Sequence, residues 1–145
     1  MAWRSLTAED VLTRLAGVEL EAYRTAARAD GQVDPLVEIL AGVVAEVRSR
    51  IAAGSGNQLG AEGTVPDAVR HHGLAMVRFR LITRLPLRVA EDRRKEYEDA
   101  LAFLDQVAEG KVRIEDPDTN QSSSGASVVV ASRPHQVTGA GLNGL

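Results

Sequence analysis

The side chains able to do chemistry are few, and their spacing argues against most reactions. His71 and His72 are adjacent, so on a helix they diverge by about 100° and cannot easily grip one metal ion. His135 has no acid or second ligand spaced near it. The chain contains no cysteine, which excludes disulfides, thiolate zinc sites, iron–sulfur clusters and cysteine nucleophiles. The turn Asp30-Gly31-Gln32-Val33-Asp34 looks faintly like a calcium loop. Setting Gly31 at the sixth loop position, however, puts Ala26, Arg28 and Val37 where oxygen ligands are needed. Gly54-Ser55-Gly56 would need the third glycine of a dinucleotide fingerprint at Leu59, and a helix rather than a strand precedes it. There is no Gly-x-Ser-x-Gly elbow, and the carboxylates fall on amphipathic helices where solvation explains them. The expectation is a protein with no metal, no cofactor and no catalytic residue, and hence not an enzyme.

One charged feature stands out. Arg70, Arg78, Arg80, Arg84, Arg88, Arg93, Arg94 and Lys95 crowd into 26 residues, with Glu91 and Asp92 in the same span. Such a stretch can contact phosphates or an acidic partner, or it can form a solvated rim paired with Glu96, Glu98 and Asp99. The net charge of −3 disfavours bulk attraction to nucleic acid or anionic membrane. The five aromatics Trp3, Tyr23, Phe79, Tyr97 and Phe103 are not interleaved with the cations for base stacking. A rim or a protein contact is therefore favoured over nucleic acid.

The elements that must position these groups read as helices. Thr7 before Ala8-Glu9-Asp10 caps a short helix over residues 7–16, which Gly17 stops, and a second spans residues 18–28 with Leu20, Tyr23 and Ala27 on one side. In the turn before Pro35, Gly31 suits positive φ, Asp34 caps and Pro35 takes the first helical position. The helix over residues 36–51 then lines up Leu36, Leu40, Val43, Val44, Val47 and Ile51, opposite Glu38, Ala45, Arg48 and Ser49. Residues 53–63 hold four glycines in a long flexible connection. A third long helix opens at Pro66-Asp67 and runs to about Leu85, before Pro86. Apolar groups almost encircle it, through Leu74, Leu81, Leu85, Ile82, Phe79, Met76 and Val69. The last helix covers residues 90–109, Gly110 ends it, and residues 111–114 alternate like a short extended segment.

With 145 residues the chain fits one domain. The expected fold is all-α, a small bundle of three long and one or two short helices over residues 1–114. An extended arm follows over residues 115–145, linker-like at residues 119–125, with strand propensity at Ser127-Val128-Val129-Val130-Ala131. The opening Met1-Ala2-Trp3-Arg4-Ser5 lacks an apolar core of signal-peptide length, which predicts a soluble, non-exported protein. The encircled helix and the valine triplet look unsatisfied in a lone monomer. The candidate interface is therefore Val69, Met76, Phe79, Arg80 and Arg84 on that helix, and Val128, Val129, Val130 and Arg133 in the arm. The arm either adds a strand to a sheet edge on another chain or is a disordered tail.

The order of these pieces resembles the Mu-like phage head-tail connector (adaptor) family, over about residues 3–114. The resemblance rests on Leu6-Thr7-Ala8-Glu9-Asp10-Val11-Leu12-Thr13-Arg14-Leu15, on the Asp30 to Asp34 turn, on Val65-Pro66, and above all on the run from Arg93-Arg94-Lys95-Glu96-Tyr97 to Glu109-Gly110-Lys111-Val112. The chain departs from the family where tyrosines and a Leu-Pro are usual, carrying Arg48-Ser49-Arg50-Ile51-Ala52-Ala53 instead. The resemblance implies an all-helical protomer in a ring, commonly of twelve copies, seated between portal and tail in the virion neck. Its partners would be further copies of itself, the portal and tail or stopper proteins, with DNA only as passing cargo and no membrane. It supplies no catalytic residue. The alternative from another class is a small helical regulator that binds nucleic acid through residues 70–95.

Overall fold

The computed structural model describes residues 2–29, 34–84 and 88–117. Strand β1 (Trp3–Ser5) leads into helices α1 (Ala8–Val11), α2 (Gly17–Ala29) and α3 (Pro35–Ala53). Strand β2 (Thr64–Pro66), α4 (Asp67–Ile82) and α5 (Glu91–Ala108) follow. The three long helices α3, α4 and α5 pack against one another, while α1 and β2 also lie on α4 and α2 lies on α3. The fold is mainly helical, as the periodicity predicts.

Local chemistry sets the helix ends. Thr7 and Asp10 form a capping box: the Asp10 amide donates to Thr7 Oγ1 at 3.3 Å and the Thr7 amide to Asp10 Oδ2 at 2.8 Å. The α-helix nevertheless lasts a single turn. Beyond Val11 the amides of Leu12, Thr13 and Arg14 each donate three residues back, so the run to Leu15 continues as tightened turns. Gly17 starts α2 rather than stopping α1. Asp34 caps α3 by accepting from the Leu36 amide at 3.0 Å, with Pro35 in the first position. Its Gly31 neighbourhood lies outside the described residues, as do Pro86 and the arm from residue 118 onward.

The core is aliphatic. It takes Val11, Leu36, Val43, Val47, Ile51, Val65, Val69, Met76, Val77, Leu81, Leu104, Val107 and Ile114, with Ala100 small enough to bring α5 close. Ile39 is buried where the wheel favoured Leu40, which is only half covered. A larger correction concerns α4. Its apolar residues face α3 on one side, α5 on another and the α1–β2 edge on a third, so the chain covers them itself. No neighbouring molecule is needed to explain an encircled helix.

Two features were not legible in advance. Strand β1 pairs antiparallel with β2, Trp3 opposite Pro66 and Ser5 opposite Thr64, tying the N-terminus to the start of α4. Residues 111–114, expected to be extended, instead close α5. Gly110 adopts φ 76°, its amide donates to the Val107 carbonyl at 3.1 Å, and the Lys111 amide to the Gln106 carbonyl at 2.9 Å, a Schellman stop.

Candidate interaction surface

Six of the eight cations of the basic stretch pair with carboxylates of the protomer. Arg70 binds the Asp10 carboxylate at 2.8 Å and the Ser5 carbonyl at 3.0 Å. Arg78 lies in the core at 8 % exposure, bound to Glu96 and to the Arg14 carbonyl. Arg80 pairs with Glu46, Arg84 with Glu38 at 3.1 Å, Arg93 with Glu19 and Lys95 with Asp99 at 3.5 Å. The internal pairing expected of a rim is present, but most partners come from α1, α2 and α3 rather than from α5 itself. Arg93, and secondarily Tyr23, hold the Glu19 carboxyl below its ordinary range against the pull of burial. Burial raises the Asp10 carboxyl, yet the Thr7 amide and hydroxyl and Arg70 outweigh it and hold it low. Single exposed pairs are worth about 0–1 kcal/mol. Their consequence here is that Arg70, Arg78, Arg80, Arg84 and Arg93 have acidic partners within the protomer, while Arg88 and Arg94 are exposed.

Aromatic and imidazole rings line the α4–α5 seam. Phe79 stacks on Tyr97 with centroids 4.1 Å apart, and His72 on Phe103 at 4.3 Å. Burial first, then the neighbouring charges of His71 and Arg14, push the His72 imidazole below its ordinary value. Among the described residues no three His, Cys, Asp or Glu side chains gather to hold a metal ion.

The predicted interface residues therefore separate. Val69 and Met76 are fully buried inside the protomer and offer no surface. Phe79 and Arg80 are half-buried in the stack and the Glu46 pair, and Arg84 is exposed. Val128, Val129, Val130 and Arg133 lie outside the described residues.

Bare apolar side chains lie elsewhere, Val18 on α2 and Val37 on α3 among them, and α3 also borders a groove. Leu6, Leu40, Ala41, Val44, Ala45, Glu62 and Gly63 line an open groove of about 390 Å³. Arg48 closes one end and holds the loop in place, donating to the carbonyls of Thr64 at 2.7 Å, Ala61 at 2.9 Å and Gly60 at 3.1 Å. Trp3 lies under this loop, its ring 5.8 Å from the Arg48 guanidinium. The same helix exposes Val37 at 62 %. The sequence signal was available: Ile39-Leu40-Ala41-Gly42-Val43-Val44-Ala45 carries no polar side chain, so α3 cannot be greasy on its inner face alone.

Residues 6–132 match the protein-family model described as Bacteriophage Mu, Gp36. The chain belongs to the bacteriophage Mu Gp36 family. No curated protein and no solved structure matches it. The Mu Gp36 match takes in α1 through α5 together with the α3 groove, and it continues past Ile114 through the valine segment, further than the resemblance read from the sequence. This is a Mu-like phage protein, and membership points to a structural or assembly role. No described helix of this Mu Gp36 protein is long and apolar enough to cross a membrane.

Proposed function

We propose that this Mu Gp36 family protein is a head-tail connector: a structural virion protein that forms a ring, of about twelve copies by its resemblance to adaptors, between portal and tail around the DNA exit channel. The observation that carries the reading is the family match over residues 6–132. Its action is binding, not catalysis, and its place is the virion neck, reached from the host cytoplasm during assembly. A ring assembled from one chain type uses a heterologous interface that closes on itself. The α3 flank, with its groove and Val37, is the surface of this protomer best suited to such a contact, because exposed contiguous apolar area marks association sites. Arg70, Arg80 and Arg93 are engaged by Asp10, Glu46 and Glu19 within the protomer, which favours a bracing role for them over a grip on DNA.

Mixing the purified chain with the portal of the same phage tests this directly. The expected result is a joint particle with ring-shaped density in negative stain and a mass many times the 15.5 kDa of one chain. Failure to engage portal under conditions where portal itself is assembled overturns the proposal. Tight DNA binding that weakens steeply with salt would replace it with the regulator.

A further inference from the structure

We infer that His71 and Arg14 form an acid-released latch, which ties the turns after α1 to α4 while the imidazole is neutral and lets them go when it takes up a proton. The inference goes beyond the connector reading and does not depend on it. The latch is read from one contact: an η nitrogen of Arg14 meets Nδ1 of His71, across 57 residues of sequence. A guanidinium can only donate, so Nδ1 must be the acceptor, and the single ring proton of the neutral imidazole sits on Nε2. A second proton turns Nδ1 from acceptor into donor and sets a positive ring against a positive guanidinium. The contact then has no hydrogen bond to keep and a repulsion to escape.

The carboxylates that α1 and α5 bring to this joint are already engaged. Asp10 on α1 is bound by Arg70 at 2.8 Å. On α5, Asp99 is bound by Lys95 at 3.5 Å and Glu96 by the buried Arg78. Arg14, once parted from His71, keeps only its 3.8 Å approach to that same Glu96. On α4 the His72 ring stands 5.0 Å from His71 and stacks on Phe103, and burial with the charges of His71 and Arg14 makes it a poor place for the proton. His71 itself is exposed, so a proton reaches it without unfolding. Residues 12–15 hold to the body through the Arg14 side chain, the Arg14 carbonyl, which accepts from Arg78 at 3.3 Å, and the buried Leu15. Loss of the first loosens the turns in which the Arg14 and Leu15 amides donate to the Val11 carbonyl at 2.9 and 3.0 Å, while α3, α4 and α5 stay packed.

Amide exchange and histidine NMR on the full chain test this. At neutral pH the His71 ring should show the Nε2–H tautomer. From about pH 7.5 to about pH 5.5, where imidazoles charge, protection of the Arg14 and Leu15 amides, taken relative to unstructured peptide at each pH, should fall roughly three- to tenfold, while Ala100 and Leu104 in α5 keep theirs. The fall should persist in His72→Phe and vanish in His71→Gln, whose side-chain oxygen still accepts from Arg14 but takes no proton. An Nδ1–H tautomer, constant protection in the natural chain, a fall that survives in His71→Gln, or one that disappears in His72→Phe each overturns the latch. Because His71 is exposed, its replacement leaves the fold intact.

Discussion

At the scale of single residues, the glycine-rich loop combines two close approaches, at Gly54 and Gly60, with two positive-φ positions, Gly56 and Gly63. Gly54 has an ordinary φ of −71°, but a Cβ there would stand 2.4 Å from the Val107 carbonyl oxygen. Space rather than conformation demands glycine, because the loop crosses the backbone at the end of α5. Gly60 is similar, since a Cβ would fall 2.6 Å from the Trp3 ring. Gly54→Ala should lose about 1–3 kcal/mol in urea unfolding, and the obstacle is backbone that cannot step aside. Histidine chemistry also acts at this scale. Because burial and the adjacent His71 and Arg14 disfavour the charged His72 imidazole, the unfolded chain takes up that proton first as pH falls. The contribution is complete above pH 6.5 and declines as pH drops below it toward the folded value. Asp99 opposes the shift without reversing it. Thermal midpoints measured from pH 7.5 to 5 should fall, and His72→Phe, which keeps a ring against Phe103, should flatten that slope.

At the scale of elements, caps decide where helices stop and joints decide how they meet. Thr7→Ala removes one half of the capping box and should cost about 1 kcal/mol, read as a lower denaturant midpoint with unchanged slope. Asp34 does two tasks. It caps α3 and takes Arg24 from α2 at 3.0 Å, so Asp34→Asn, which can still cap but gives up the ion pair, should retain more stability than Asp34→Ala. The comparison separates cap from joint. Residues 111–114 show why alternation alone misled: Lys111 and Val112 both send their amides to the Gln106 carbonyl, and donors used to close a helix cannot serve a β-ladder. The β1–β2 pair escaped for the opposite reason. Each strand is three residues long, too short for period-two alternation to register, and only the antiparallel register across some sixty residues of sequence creates it.

At the scale of the whole molecule, carboxylates link distant segments and make the fold acid-sensitive. Asp10, Glu19 and Asp34 are all held below the ordinary carboxylate values of 3.8, 4.5 and 3.8. For Glu19 the main cause is the Arg93 hydrogen bond; for the two aspartates, burial is outweighed by amide and arginine partners. Their stabilisation is present above those unfolded values and is lost as pH falls through the lower folded ones. Unfolding free energy should therefore hold steady down to about pH 5, apart from the histidine slope, and drop steeply below pH 4, with Glu19→Gln reducing the drop. In the same frame, Leu104→Ala at the fully buried α5 seam should cost about 2–5 kcal/mol, while Val37→Ser on the outer α3 flank should stay within about 0.5 kcal/mol. That contrast, checked by chemical denaturation, separates a core position on α5 from an exposed one on α3.

Local chemistry alone was enough to predict the mainly helical class, the Thr7 and Asp34 caps, Pro35 at the start of α3, the Gly110 stop and the order of motifs that resembles a phage family. Each is set by residues a few positions apart, and their interactions close within one turn of helix. Which apolar surface is left over depends on what packs against what, and that is a long-range matter. Periodicity singled out α4 because Val69, Met76 and Phe79 surround it, but α3, α5 and the α1–β2 edge enclose that helix. Val37, Ala41 and Ala45 on α3 stay exposed among the described residues, and only the packing of three helices around one core could decide it.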